Sequence, residues 1–194
     1  MCRRCGALLR DPQKVSGGER LVISVLFADV VNSTALVANL DPEDAHALLE
    51  TVVQQMIDAV HHFGGTVNQI AGDGIQALFG APLVQEDHAL RACFAGLRMQ
   101  GTLEAAASAA AQPIRARVGI NAGEVLLRPN AGDTRLGYSA DGPVTHLARK
   151  VEQRAQPGVT PALHGRNQIG DGVQVADGFV LDVQRRIVAL RKSR

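Results

Sequence analysis

Apolar stretches separated by turn-forming residues divide this chain into short strands and longer helical segments. The apolar runs predict five strands, at residues 21–28, 66–70, 75–79, 114–121 and 124–127, with two further short strands near 173–175 and 187–190. We expect Ala71-Gly72-Asp73-Gly74 to join the second and third strands as a hairpin, and Asn121-Ala122-Gly123 to turn between the fourth and fifth. The first strand is apolar nearly throughout, which is typical of burial on both faces.

Apolar residues that recur at helical spacing predict the helices. We expect these helices at residues 32–40, 41–61, 86–111 and 144–155. The second begins with Asp41 as cap and a proline in its first turn. The order of elements predicts an α+β fold: a ferredoxin-like, palm-type sandwich whose helices pack on one face of a mostly antiparallel sheet.

Length and composition indicate one domain with its own core, since 46% of the 194 residues are hydrophobic. We place this domain at residues 21–165, between a polar lead-in at 1–20 and a weakly patterned segment at 166–194 that ends in a basic tail. A net charge of +1, one Tyr and no Trp give no reason to expect nucleic-acid binding. No apolar run reaches the roughly 20 residues of a membrane helix, and the start lacks a signal-peptide pattern, so we expect a cytoplasmic protein.

Cys2 and Cys5 have the spacing of one half of a zinc ribbon. A closed tetrahedral zinc site needs a second pair of ligands, and no other Cys-x-x-Cys occurs in the chain. Cys93 falls on a predicted helix, where a buried apolar role fits it. We therefore do not expect this chain alone to bind zinc, and interpret the pair as a remnant of a longer ribbon. A zinc-linked interaction module is one functional alternative that rests on these two cysteines only.

Two aspartates lie where apolar segments end. Asp29 ends the first predicted strand, and Asp73 lies in the predicted turn between the second and third. Each has an ordinary structural explanation, because Asp caps helices and tolerates the backbone angles of glycine-containing turns. Carboxylates are rarely left without a partner at the edge of a core, so two of them at strand ends suggest a shared divalent metal.

Four segments resemble, in order, the motifs of the class III adenylate/guanylate cyclase catalytic domain; they are Val25-Leu26-Phe27-Ala28-Asp29-Val30-Val31-Asn32-Ser33-Thr34, residues 64–80, residues 117–125 and residues 137–148. Residues 85–92 are similar to bacterial members that often carry zinc ribbons. The resemblance implies a phosphorus–oxygen lyase of cyclic nucleotide signalling. Such an enzyme converts ATP, or less favourably GTP, to the 3′,5′-cyclic monophosphate and pyrophosphate.

The resemblance also implies a metal and phosphate site. Asp29 and Asp73 match the family's metal-binding aspartates, which hold two divalent cations, Mg²⁺ or Mn²⁺, and the carbonyl oxygen of Val30 adds a ligand. The loop that follows meets a helix N-terminus, where phosphate oxygens are favoured. Its residues are Val31, Asn32, Ser33 and Thr34.

The residues that read the purine and support the transition state follow from the same resemblance. The purine pair falls on Gln69 and Ser139, and the transition-state pair on His146 and Lys150. Lysine keeps the charge of the family's usual arginine but loses its bidentate fork. Arg149 is adjacent, but one helical step rotates a side chain by about 100°, so we expect it to point elsewhere.

The resemblance further implies a head-to-tail homodimer, because the metal aspartates of one family protomer face the transition-state pair of the other. The partner molecules are then a nucleoside triphosphate and a second copy of this chain. Substitutions at the purine and transition-state positions leave an alternative: a catalytically degenerate cyclase-homology domain that binds nucleotide or dimerises for regulation. The chain after Pro157 no longer resembles the family, which favours that alternative, and Asp141 replaces an apolar residue that is common at its position in the family.

Overall fold

A computed structural model describes residues 18–107, 114–129, 138–158, 160 and 162–164. Within these residues the elements are β1 (Glu19–Val30), α1 (Ser33–Val37), α2 (Pro42–His62), β2 (Thr66–Ala71), β3 (Gly74–Phe79), α3 (His88–Ala107), β4 (Ala116–Pro129), β5 (Tyr138–Asp141), α4 (Pro143–Arg154) and β6 (Ala162–His164). The predicted strands near 173–175 and 187–190 lie outside the described residues, as do Cys2, Cys5 and the segment 166–194.

One sheet organises the chain, with strand order β2-β3-β1-β4-β5 and antiparallel pairing between these neighbours. Strand β6 pairs with β4 in parallel. The α+β fold with a mostly antiparallel sheet is therefore confirmed. Each predicted helix has a counterpart, although α1 is shorter than expected and Asp41 makes no side-chain hydrogen bond at the start of α2.

The predicted turn at residues 121–123 is wrong. Strand β4 continues through it, and its register with β1 runs unbroken from Val30 opposite Ala116 to Glu19 opposite Leu127. The Asn121 side-chain amide donates to a backbone carbonyl of α4 at 3.2 Å, so the helix satisfies a residue that otherwise favours turns. Gly123 also faces this helix, because a Cβ there would lie 2.8 Å from a valine side chain.

Helices cover both faces of the sheet, not one face as expected. On one face, Leu26 and Ala28 of β1 pack in a core with residues of α2 and α3 such as Met56. On the other face, Val25 of β1 packs in a second core with Ala148 of α4. Alternate residues of a strand point to opposite faces, so a strand buried on both sides needs the nearly continuous apolar run that β1 has.

The sheet curls so that its two ends meet. Strands β2 and β5 are at opposite ends of the strand order, yet the backbone N–H of Tyr138 on β5 donates to the side-chain carbonyl of Asn68 on β2 at 2.9 Å. In the part of the chain that is described, no helix combines the length and apolarity needed to cross a membrane.

Replacing Gly119 by alanine tests the close approach of α4 to β4. A Cβ at this position would overlap the backbone of Ala148 and Glu152, which cannot move without displacing the helix. We expect Gly119→Ala to lower the free energy of unfolding by about 2–3 kcal/mol, as measured by urea denaturation. Gly101→Ala is the matched control: it lies in α3 with open space around it, and should raise stability by about 0.5–1 kcal/mol. Equal effects at the two positions would contradict the predicted packing.

Candidate active site

Asp29 lies near the end of the central strand β1 and has a neighbour on each side. Its pairing partners are Gly74 on β3 and Arg117 on β4. A Cβ at residue 74 would lie 2.9 Å from Oδ1 of Asp29, so the glycine leaves room for the carboxylate. The side chain of Asp29 keeps 34% of its surface accessible, which allows a ligand to reach it.

Asp73 lies in the two-residue turn of the β2–β3 hairpin, between Ala71 and Gly74, which pair with each other. Gly72 opens this turn with a φ of +61°, a conformation that glycine adopts without strain. The predicted hairpin is thus confirmed, and Asp73 directly precedes the residue that pairs with Asp29. The two aspartates therefore lie at the same end of neighbouring strands.

Arg117 is a site residue that was not among those predicted from the sequence. Its Nη2 lies 2.9 Å from Oδ2 of Asp29, and its Nε lies 3.3 Å from Oε1 of Glu152 on α4. One arginine therefore connects the end of β1 with the helix on that face of the sheet. The sequence did contain a signal, because Arg117 lies between the apolar residues Ala116 and Val118 of a predicted strand. Both neighbours are buried, and a charged side chain in such a strand needs an oppositely charged partner.

Glu152 is the buried carboxylate of this group, with 7% of its surface accessible. Burial raises its pKa, since desolvation disfavours the charged form. The Arg117 and Arg149 charges act in the opposite direction, and the Asp29 charge adds to the increase. The net shift is upward, so removal from water outweighs the ion pair with Arg117.

A cleft of ≈ 240 Å³ opens beside these charges. It lies between the β1, β2 and β3 strands on one side and α4 on the other. The polar residues that line it are Asp29, Gln69, Gln76, Arg117, Arg149, Glu152 and Gln153. The cleft thus brings one predicted metal ligand and one predicted purine residue together within a single chain.

Arg149 points into this cleft. Its guanidinium carbon lies 4.7 Å from the centroid of the Phe27 ring, a cation–π distance. Lys150, one residue further along α4, is exposed and does not line the cleft. The two side chains therefore point in different directions, as predicted, but the cleft as the destination of Arg149 was not predicted.

The transition-state pair predicted from the resemblance is not brought to the aspartates within this chain. His146 and Lys150 are both exposed on α4, on its outer side relative to the buried residues Ala148 and Val151. Neither lines the cleft. These residues are placed where a second molecule could meet them.

The predicted purine pair lies on the two strands that meet when the sheet curls. Gln69 is exposed on β2, next to Asn68, and Ser139 is half-buried on β5, next to Tyr138. The Ser139 hydroxyl donates to Oδ2 of Asp141 at 2.6 Å. Because residues two apart on a strand share a face, this hydrogen bond joins two neighbours on one surface of β5.

The predicted phosphate loop joins β1 to the five-residue helix α1 and consists of Val31, Asn32, Ser33 and Thr34. Asn32 has a φ of 53°, and it is the one non-glycine residue with positive φ among those described. Asparagine tolerates this left-handed conformation better than most residues. The backbone N–H of Val31 donates to the Arg115 carbonyl at 2.9 Å, so this amide is already bonded. Val30 is buried at the end of β1.

The ligand set around Asp29 suits a cation that brings further ligands with it. Within the described ranges, no three His, Cys, Asp or Glu side chains are arranged to hold a metal ion. Zinc in a structural site needs four protein ligands, whereas Mg²⁺ commonly uses one or two carboxylates, several waters and substrate phosphates. Asp29 on the open cleft, with Asp73 in the adjoining turn, therefore fits Mg²⁺ or Mn²⁺ arriving with a phosphorylated ligand.

A family model described as "Adenylate and Guanylate cyclase catalytic domain" matches residues 19–162. Adenylate cyclase 1 of Rhizobium meliloti (strain 1021) is 29% identical over 137 residues, which are 69% of this chain and 21% of that protein. The chain spans between 21% and 28% of the length of the curated relatives that it matches.

Solved structures of similar fold include two cyclases. The guanylyl cyclase Cya2 has a TM-score of 0.66 and 34% identity, over 73% of this chain and 74% of that one. The adenylyl cyclase CyaB from P. aeruginosa has a TM-score of 0.68 and 26% identity, over 77% of this chain and 79% of that one.

Replacing Glu152 by glutamine tests whether burial dominates at this carboxyl. Because the pKa of Glu152 is raised, the stability that its carboxyl contributes is fully present below the ordinary glutamate pKa of 4.5. This contribution is lost as the pH rises through the raised pKa. Glutamine does not titrate. The melting temperature of Glu152→Gln relative to the unaltered chain should therefore increase from about pH 4 to about pH 8, as followed by circular dichroism. A difference that decreases with pH would mean that the ion pair with Arg117 outweighs desolvation.

Proposed function

The chain belongs to the adenylate and guanylate cyclase catalytic domain family, and we propose that it is a metal-dependent purine nucleotide cyclase. It converts ATP, in preference to GTP, to the 3′,5′-cyclic monophosphate and pyrophosphate, and so acts in cyclic nucleotide signalling. One observation carries the proposal: the pairing of β1 with β3 sets Asp29 against Gly74, and thereby beside Asp73, at the edge of an open cleft.

Asp29 and Asp73 hold the metal in this proposal, with the Val30 carbonyl as an additional ligand. Two divalent cations, Mg²⁺ or Mn²⁺, supply Lewis-acid chemistry when bound, lowering the pKa of the ribose 3′-hydroxyl and neutralising the triphosphate. Asp29 would hold the cation with the same carboxylate that Arg117 contacts at 2.9 Å. Arg117, still paired with Glu152 through its Nε at 3.3 Å, would then turn its Nη2 donor toward phosphate oxygens at the mouth of the cleft.

A second copy of the chain completes the site. His146 and Lys150 are exposed on α4 and face away from their own cleft, so they serve a partner's aspartates in a head-to-tail homodimer. His146 hydrogen-bonds the ribose, and the Lys150 ammonium stabilises charge on the transferring phosphate. Each dimer then has two equivalent sites, because every protomer carries both halves.

The preference for ATP rests on the hydrogen bond within β5. The hydroxyl hydrogen of Ser139 is committed to Asp141, so toward a base Ser139 is an acceptor. Adenine presents an amino donor at its 6-position, whereas guanine presents an acceptor oxygen there. Gln69 can both donate and accept, so it serves the remaining edge of adenine.

A catalytically degenerate domain that binds nucleotide or dimerises for regulation is the second candidate. The observation that favours it is the state of the charged residues: Asp29 is already neutralised by Arg117, and Lys150 lacks the fork of an arginine. The two candidates differ in turnover and not in nucleotide binding, so one assay separates them.

Incubation with ATP or GTP and Mn²⁺ or Mg²⁺ tests the proposed activity. We expect cyclic AMP from the unaltered chain and a loss of turnover of about 10²-fold or more in Asp73→Ala, because one metal ligand is removed while the hairpin turn is kept. Asp44→Ala, at an exposed position in the first turn of α2, is the matched control and should retain full turnover.

Two outcomes would count against this assignment. Full turnover in Asp73→Ala would exclude the shared-metal site. The absence of cyclic product above an Asp29→Ala background, with metal-dependent nucleotide binding retained, would support the degenerate domain.

Mixing two inactive variants tests the head-to-tail dimer. In a dimer of one Asp29→Ala protomer and one Lys150→Ala protomer, one of the two sites carries both substitutions and the other carries neither. Random reassociation makes half of the dimers mixed, so the mixture should recover about a quarter of the unaltered rate. If Asp29 and Lys150 of the same protomer act together, the mixture will remain as inactive as its components.

A further inference from the structure

Arg149 is a charged residue of the cleft that has no role in the reaction proposed above. Its guanidinium lies over the Phe27 ring at 4.7 Å and lines the cleft that contains Asp29. Among the described residues its side chain makes no ion pair within 4.0 Å, whereas Arg117 pairs with both Asp29 and Glu152. The aromatic contact thus orients Arg149 without neutralising its charge.

Binding of a cation at Asp29 would make the net charge of the cleft more positive. Asp29, Arg117 and Glu152 form a chain of ion pairs, whereas Arg149 makes no ion pair in the part of the chain that the structure describes and acts on Glu152 only at longer range. A divalent cation at Asp29 would add two positive charges to a cleft in which the guanidinium groups of Arg117 and Arg149 already balance the two carboxylates, so the cleft would become net positive. A cleft with this charge favours a polyanion.

We propose that Arg149 is a further phosphate-binding residue, whose guanidinium holds the triphosphate of the nucleotide bound by Asp29 and Asp73 of the same protomer. The inference rests on the proposed function. It also assigns a different geometry from that of Lys150, which acts across the interface. A guanidinium binds two phosphate oxygens in parallel, so Arg149 is suited to hold the triphosphate from within the protomer.

Because the triphosphate is present in both the ground state and the transition state, Arg149 contributes mainly to binding. Its loss should raise KM and change kcat little. We expect Arg149→Gln to raise KM for the manganese–ATP complex about tenfold, which is the size of one hydrogen bond to a charged group. The KM of Arg149→Lys should lie between those of the unaltered chain and Arg149→Gln, since lysine keeps the charge but cannot bind two phosphate oxygens in parallel. Arg98→Gln, at an exposed position on α3, is the charge-matched control and should leave KM unchanged.

Inorganic tripolyphosphate with Mn²⁺ provides a readout that does not depend on cyclase activity. Isothermal titration calorimetry should show about tenfold weaker binding in Arg149→Gln and unchanged binding in Arg98→Gln. Equal affinity in Arg149→Gln and the unaltered chain, or no binding by the unaltered chain, would overturn the assignment of Arg149. Weakened binding in Arg149→Gln alongside an unaltered chain that makes no cyclic product would uphold Arg149 and refute the cyclase.

Mixed dimers test whether Arg149 acts in the same protomer as Asp29. At ATP concentrations well below KM, a mixture of Asp29→Ala and Arg149→Gln chains should show no rate beyond the residual activity of Arg149→Gln. In every mixed dimer the intact aspartate then lies beside the altered arginine. Recovery to about a quarter of the unaltered rate would place Arg149 across the interface and overturn the same-protomer geometry.

Discussion

The double pairing of β1 is the constraint on which the site depends. This strand is hydrogen-bonded to β3 on one side and to β4 on the other, and Asp29 lies where both pairings approach their end. The first places the carboxylate beside the glycine that follows Asp73, and the second places it beside Arg117. A slip of one residue in either register would turn the aspartate toward the opposite face, so the apolar pattern of β1 also determines the position of its charge.

Helix α4 connects this strand geometry to the electrostatics of the cleft. Gly119 lets the helix backbone lie directly on β4, and this approach carries Glu152 to Arg117 and Arg149 to Phe27. In this position the Glu152 carboxylate loses hydration, and this desolvation raises its pKa. Arg117 thus compensates Asp29 and Glu152, and in the function that we propose a cation at Asp29 makes the cleft favourable for a polyanion.

Much of the fold followed from local patterns in the sequence. The β2–β3 hairpin, the central strand and the extents of α2 and α4 could be predicted because apolar periodicity and turn residues agree there. The turn expected at residues 121–123 could not be judged locally, because Asn121 is satisfied by a carbonyl of α4 that is distant in sequence. The position of α4 on the face opposite α2 and α3 is likewise a tertiary property. The direction of Arg149 depends on that position, which explains why helical spacing alone did not reveal it.

The central claim is that Asp29 and Asp73 share a pair of cations when nucleotide is bound. Electron paramagnetic resonance of the chain with Mn²⁺ and 3′-deoxy-ATP, which lacks the attacking hydroxyl, measures this directly. The account predicts two Mn²⁺ per protomer whose spins are coupled at a separation of about 4 Å, and loss of the coupled signal in both Asp29→Ala and Asp73→Ala. Isolated, uncoupled Mn²⁺, or a coupled pair that survives either substitution, would contradict it.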